Sequence, residues 1–206
     1  MNQKLRILSA VLLSAAAALT VFSCAATKAI AADTGAEELL EGFNGSTAWK
    51  AVGKNWGDGD CSTSALVTDE WHTEGTGALK GSFAKTGETG GAATYFTEAP
   101  AVADFSPYES VLFDVYNPLE VPVQVSFAVT TGGGWEWYES NVFEVAHGEA
   151  RNLQADFYTG TLKCALTGWQ FTANLGDSDD VRRVAVKFQL PADTEGFLYI
   201  DNIRLK

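Results

Sequence analysis

From residue 39 onward the chain is built of short runs in which apolar and polar residues alternate. Ser110–Tyr116 places Val111, Phe113 and Val115 on one face. Val121–Thr130 places Val123, Val125, Phe127 and Val129 on one face, with Gln124, Ser126, Ala128 and Thr130 on the other. Arg183–Leu190 repeats the pattern through Val184, Val186, Phe188 and Leu190. A period of two marks a half-buried strand, because successive side chains leave a pleated backbone on opposite faces. Further runs at Leu39–Phe43, Ser64–Thr68, Ala78–Phe83, Ala92–Phe96, Trp135–Val145, Ala150–Asp156, Gln170–Ala173 and Gly196–Leu205 bring the prediction to eleven strands. Helix is confined to a turn or two near Asp104–Tyr108 or Asp177–Val181. Short strands at regular spacing, broken by Gly, Pro, Asn and Asp, predict one all-β domain over 39–206: a two-sheet antiparallel β-sandwich of the jelly-roll kind.

Two places break the alternation. In the last strand the even positions Leu198 and Ile200 read as buried, then the odd positions Ile203 and Leu205. A one-residue β-bulge at Asp201-Asn202 reconciles them, and bulges often re-aim a side chain toward a site, here Asp201. The second break concerns Trp135 and Trp137. With Thr131–Gly134 as a four-residue hairpin loop, Thr130 faces Trp135, Ala128 faces Trp137, Ser126 faces Glu139 and Gln124 faces Asn141, all on the outer side. Phe143 and Val145 share that parity yet read as buried, so the register must shift near Asn141–Val142. The alternative is that both tryptophans are core. Trp56 and Trp71 lie in polar segments and read as caps on the sandwich end more readily than as binding residues. Trp49 and Trp169 are expected in the core, and His72 and His147 in solvated turns.

The start of the chain is of another kind. Met1–Arg6 is basic and Ile7–Phe22 apolar apart from Ser9, Ser14 and Thr20, which predicts a secretory signal within 1–32. Val21-Phe22-Ser23-Cys24 resembles a bacterial lipobox that would leave Cys24 lipidated, and cleavage near Ala29-Ile30-Ala31 is the competing exit. Residues 33–38 form a spacer. Either exit places the domain outside the cytoplasm, secreted, periplasmic or on the cell surface. There Cys61 and Cys164 could pair. Such a disulfide would close a loop of about a hundred residues, worth roughly 4–5 kcal/mol in the chain-entropy model; two separate buried thiols are the alternative.

Charge narrows the partners. The chain has 206 residues with 14 Lys+Arg and 26 Asp+Glu. Beyond residue 32 the balance is 11 basic to 26 acidic groups, a net charge of −15. Nucleic acid and anionic membrane surfaces require a positive footprint and are excluded; contact with a membrane is expected only through a lipid anchor, and the domain is expected to be a monomer. Catalytic motifs are missing. The alternating acids E-x-D-x-x-E do not occur, since Glu136-Trp137-Tyr138-Glu139 lacks the middle one, and G-x-S-x-G and H-E-x-x-H are absent as well. Three acids in Asp177–Asp180 read as a solvated turn, with calcium binding the lesser alternative. Sugar rings have apolar C–H faces ringed by hydroxyls, so the exposed Trp135 and Trp137, flanked by Glu139, Asn141 and Gln124, suit a saccharide.

The order of motifs carries a resemblance. Leu40-Glu41-Gly42-Phe43-Asn44, Trp49, Gly75-Thr76-Gly77-Ala78-Leu79-Lys80, Phe105 to Pro118, Gly134 to Glu139 and Tyr199 to Leu205 together resemble non-catalytic carbohydrate-binding modules of the galactose-binding-like jelly-roll type. The resemblance implies a non-enzymatic domain that binds a polysaccharide or oligosaccharide, expected to be a plant-type β-glycan. It also implies a structural Ca²⁺ joining the first and last strands, with Asp201, Asn44 or Glu41 and carbonyls around Thr76–Lys80 as ligands. Asn44 stands where related modules often carry an acid. The competing functions are a cell-envelope structural or adhesion lipoprotein on the same fold, and a jelly-roll hydrolase or lyase.

Overall fold

The computed structural model describes residues 36–52, 61–86 and 89–206. The expected leader over 1–32 with Cys24, residues 33–35 of the 33–38 spacer, and Trp56 lie outside the described residues. Among the described residues twelve strands follow in chain order. The first six are β1 (Glu38–Glu41), β2 (Lys50–Ala51), β3 (Ser62–Thr68), β4 (Ala78–Ala84), β5 (Gly91–Thr97) and β6 (Ser110–Asn117). The rest are β7 (Val123–Thr131), β8 (Glu136–Glu139), β9 (Phe143–Val145), β10 (Gly148–Asp156), β11 (Val181–Leu190) and β12 (Glu195–Leu205). They form two antiparallel sheets. One runs β10-β6-β12-β4-β3 with β1 also on β12, and the other β2-β5-β11-β7-β8 with β9 also on β7. This is the expected jelly-roll sandwich.

The apolar faces meet between the sheets. Phe113, Val115, Leu79, Leu198 and Ile200 of the first sheet are buried with Val125, Phe127, Val184, Val186 and Phe188 of the second. Phe113 and Phe127 make ring contact across the interface at 5.7 Å between centroids. Burying each such side chain contributes about 1.5–3 kcal/mol, and Trp49 is in this core as expected.

Both breaks in alternation are found. Asp201 pairs with Asp114, but Arg204 pairs with Leu112, so β12 carries one extra residue. Asn202 takes the left-handed backbone this requires, at φ 55°. Ala128 pairs with Glu139 while Val125 pairs with Phe143, and the intervening Ser140–Val142 supplies the parity change.

Three expectations are corrected, and the choice left open at the cysteines falls on separate thiols. Thr131 continues β7, so the turn is Gly132–Trp135 and Thr130 opposes Trp137, not Trp135, while Ala128 opposes Glu139. The shift is two residues, which keeps every side chain on its expected face. Gln170–Ala173 is not a strand: only Ala173 bridges, to Leu162. A 3₁₀ turn at Ala165–Thr167 and left-handed backbone at Gly168 and Trp169 turn the chain outward, so Trp169 is 52% exposed instead of core. Cys61 and Cys164 are not joined. The Cys61 thiol donates to the Ala92 carbonyl at 3.0 Å, whereas Cys164 is buried with its sulfur 3.9 Å from Thr167 Oγ1.

Candidate functional site

The outer face of the second sheet holds a cleft of about 670 Å³, within the ordinary range for ligand sites. Register builds it in rows across the strands. Thr94, Lys187 and Ser126 align in one row, Phe96, Ala185, Ala128 and Glu139 in the next, and Arg183, Thr130 and Trp137 in a third. Small residues keep the middle of the floor low. Ala128 and Ala185 pack with Val52 and Phe96 in a separate apolar cluster, and Trp137 is seated on it. Trp135, Trp137 and Trp169 all line the cleft. Trp135 is 47% exposed and ends the Gly132–Trp135 turn in left-handed backbone, φ 56°. The Arg183 guanidinium lies 5.4 Å from the Trp135 ring and 4.9 Å from the Phe96 ring, a spacing that suits cation–π attraction.

Glu139 sits beneath the tryptophans, buried. Lys163 and Lys187 each place Nζ 3.1 Å from one of its carboxylate oxygens, and Ser126 Oγ donates to Oε1 at 3.3 Å. Burial pushes the Glu139 pKa up, but the Lys187 and Lys163 ammoniums more than offset it and hold the group below the usual carboxylate range. Lys163 reaches this position because its backbone exchanges both hydrogen bonds with Glu139 at 2.9 Å, adding a short rung beyond β8. Among the described residues Glu139 is the only acid that lines the cleft.

The other expected ligand-binding residues stand apart. Gln124 is exposed farther along the same face, in a smaller hollow shared with Gln189, which also lines the cleft. Asn141 is half-buried in the break between β8 and β9 and lines neither hollow. Sequence reasoning missed Arg183, Lys187, Lys163 and Trp169. The first two were legible as the polar parity of β11; the others lie in irregular chain.

Trp71 belongs to the opposite sheet. There Glu149, Tyr116, Tyr199, Lys80 and Leu66 form one row across five strands. Trp71 stacks on Tyr116 at 5.7 Å and donates Nε1 to Glu149 at 2.9 Å. It covers that sheet's outer face rather than its end. His72 and His147 are exposed, as expected.

Each expected calcium ligand has hydrogen-bond partners of its own. Glu41 accepts from the Phe43 amide at 2.9 Å, and Asn44 donates to Glu74 at 2.8 Å and accepts from the Thr76 amide. Asp201 Oδ2 accepts from the Thr73 and Glu74 amides at 2.6 and 2.8 Å. Among the described residues no three of His, Cys, Asp and Glu gather as a metal site. Yet Asp201 Oδ1 is buried without a hydrogen-bond donor, a costly state for a carboxylate oxygen. Burial accordingly pushes the Asp201 pKa up against the Thr73, Glu74 and Asn202 hydrogen bonds.

Comparison places this arrangement among known folds. Residues 44–202 match the family model described as mannanase, galactose-binding domain-like. No curated protein sequence matches the chain. The family 11 carbohydrate-binding module of a cellulosomal cellulase of Clostridium thermocellum superposes with a TM-score of 0.56 at 16% identity, covering 82% of this chain and 94% of that one. A carbohydrate-binding module specific for non-crystalline cellulose gives 0.53 at 14% identity, covering 82% and 93%. The family 27 module of Caldicellulosiruptor saccharolyticus, solved with mannohexaose, gives 0.51 at 16% identity, covering 83% and 97%.

Proposed function

This chain belongs to the mannanase galactose-binding-like domain family, and we propose that it is a non-catalytic carbohydrate-binding domain that grips a polysaccharide chain in the cleft on its second sheet. One observation carries the reading: Trp135, Trp137 and Trp169 converge on a single open cleft. Indole faces pack against the C–H faces of sugar rings, while Lys187, Lys163, Thr94 and Gln189 offer hydrogen bonds to hydroxyls around them. Arg183 to Gln189 spans roughly 20 Å at about 3.3 Å per residue, room for an oligosaccharide segment instead of a single sugar. A β-linked plant glycan and a site of action outside the cytoplasm are part of the proposal, the second supported by the leader-like sequence of residues 1–32.

A calcium ion against Asp201 is also part of it, supported by the uncompensated Oδ1. Glu74 is the acid that links the two groups, its amide on Asp201 and its carboxylate on Asn44. Bound there, the ion would supply charge compensation only.

The test is a glycan array on the folded domain, followed by calorimetry with mannan and mixed-linked β-glucan oligosaccharides. Binding that disappears in a Trp135→Ala, Trp137→Ala double variant supports the proposal. Absence of binding to every glycan overturns it.

A further inference from the structure

The cleft is charged against the grain of the molecule. Beyond residue 32 acids outnumber bases by 26 to 11, yet among the described residues the cleft is lined by three bases, Lys163, Lys187 and Arg183, and one acid, Glu139. Glu139 is held by both lysines at once, so this triad by itself carries a net charge of one positive unit. Each lysine carries three N–H donors and gives one to Glu139 in these pairs. Arg183 reaches Glu98, outside the cleft lining, while its guanidinium stays against Trp135 and Phe96.

A surplus charge in a partly desolvated groove is costly until it meets an opposite charge. A neutral sugar offers it only hydroxyls. A carboxylate or sulfate oxygen makes charge-assisted hydrogen bonds, roughly twice as strong as neutral ones. The acidic exterior does not oppose this at contact, since charges beyond about 8 Å are largely screened at physiological ionic strength.

Resting on the carbohydrate reading above, we propose that the cleft selects polysaccharides bearing anionic groups, with the tryptophans holding the sugar rings while Lys187 and Lys163 take the anion. The shared chemistry is an oxyanion on a glycan, whether a uronate carboxylate or a sulfate ester.

The experiment compares matched pairs, so that the sugar backbone stays constant. Uronate-containing oligosaccharides are measured by calorimetry beside their carboxyl-reduced forms, and sulfated galactan oligosaccharides beside their desulfated forms. Mannan and mixed-linked β-glucan oligosaccharides serve as neutral ligands. The expected result is a charged member that binds at least 10-fold more tightly than its neutralised partner in one pair, which also identifies the anion. Lys187→Met should shrink that ratio toward one, Lys187→Arg should largely keep it, and Trp135→Ala should weaken both members alike. Thermal melting of each variant establishes that it is folded. Equal affinity within every pair that binds, or tighter binding of the neutral glycans, overturns charge selection and leaves the carbohydrate reading standing. No binding to any glycan overturns both.

Discussion

At the scale of single residues, the cleft rests on side chains whose visibility in the sequence depends on the regularity of the backbone beneath them. Trp137 and Glu139 were readable because alternation along β8 fixes the face, and a two-residue error in register leaves that face unchanged. Trp169 was not, because Gly168 and Trp169 both take left-handed backbone after a 3₁₀ turn, a feature that hydrophobic pattern does not encode. Trp135→Ala should therefore weaken glycan binding by about 1–3 kcal/mol, as for anchor aromatics elsewhere, while stability moves by no more than about 0.5 kcal/mol. Trp169→Ala should weaken binding similarly. Trp137→Ala should also lower the melting temperature, because its ring covers Ala128 and Ala185. Calorimetry paired with thermal melts separates these outcomes, and a Trp135→Ala variant that loses several kcal/mol of stability would show that ring to be structural. Cys61 and Cys164 give a simpler test. With the thiols unbonded to each other, dithiothreitol should leave the melting temperature where it is; a drop would reveal a disulfide.

At the scale of elements, the two breaks in alternation fix what faces where. Without the Ser140–Val142 shift, Phe143 would leave the core if Glu139 kept its outward face. Without the Asp201–Asn202 bulge, Ile203 and Leu205 would turn outward. Both were legible because each strand carries buried residues of opposite parity at its two ends. The partner of Asp201 was not legible, because Thr73 and Glu74 arrive from a loop with no periodicity. Asn202 tolerates φ 55°, and its amide donates to Asp114 at 3.1 Å. Asn202→Val should cost about 1–3 kcal/mol, since a β-branched residue is strained there; unchanged urea melts would place the bulge elsewhere. The same element tests the ion. A ligand bound only by the folded state stabilises it in proportion to RT ln(1 + [Ca²⁺]/Kd). Millimolar calcium should raise the melting temperature over chelator in the native protein and not in Asp201→Ala. Superimposable curves in the native protein would remove calcium and leave Asp201 as a cap on the Thr73–Glu74 loop.

For the whole molecule, the separation of charge between exterior and cleft governs the response to acid. Glu139 joins three parts of the second sheet: its own strand β8, Lys187 on β11 and the rung that carries Lys163. Its pKa is held below the ordinary glutamate value of about 4.3 because the Lys187 and Lys163 ammoniums outweigh burial. A carboxylate with a depressed pKa in the folded state contributes stability that is fully present above the unfolded value and lost as pH falls through the folded one. The native protein should hold its melting temperature down to about pH 5 as far as this group is concerned, then lose stability below about pH 4. Glu139→Gln leaves two ammoniums facing each other without their counter-charge, so at pH 7 it should melt below the native protein. That variant has no such carboxylate to protonate, so the gap between the two curves should narrow as the pH falls below about 4. Differential scanning calorimetry across this range reads the gap directly. Parallel curves would mean that the Glu139 pairs contribute no stability, and that the two lysines are held in the cleft by the backbone alone.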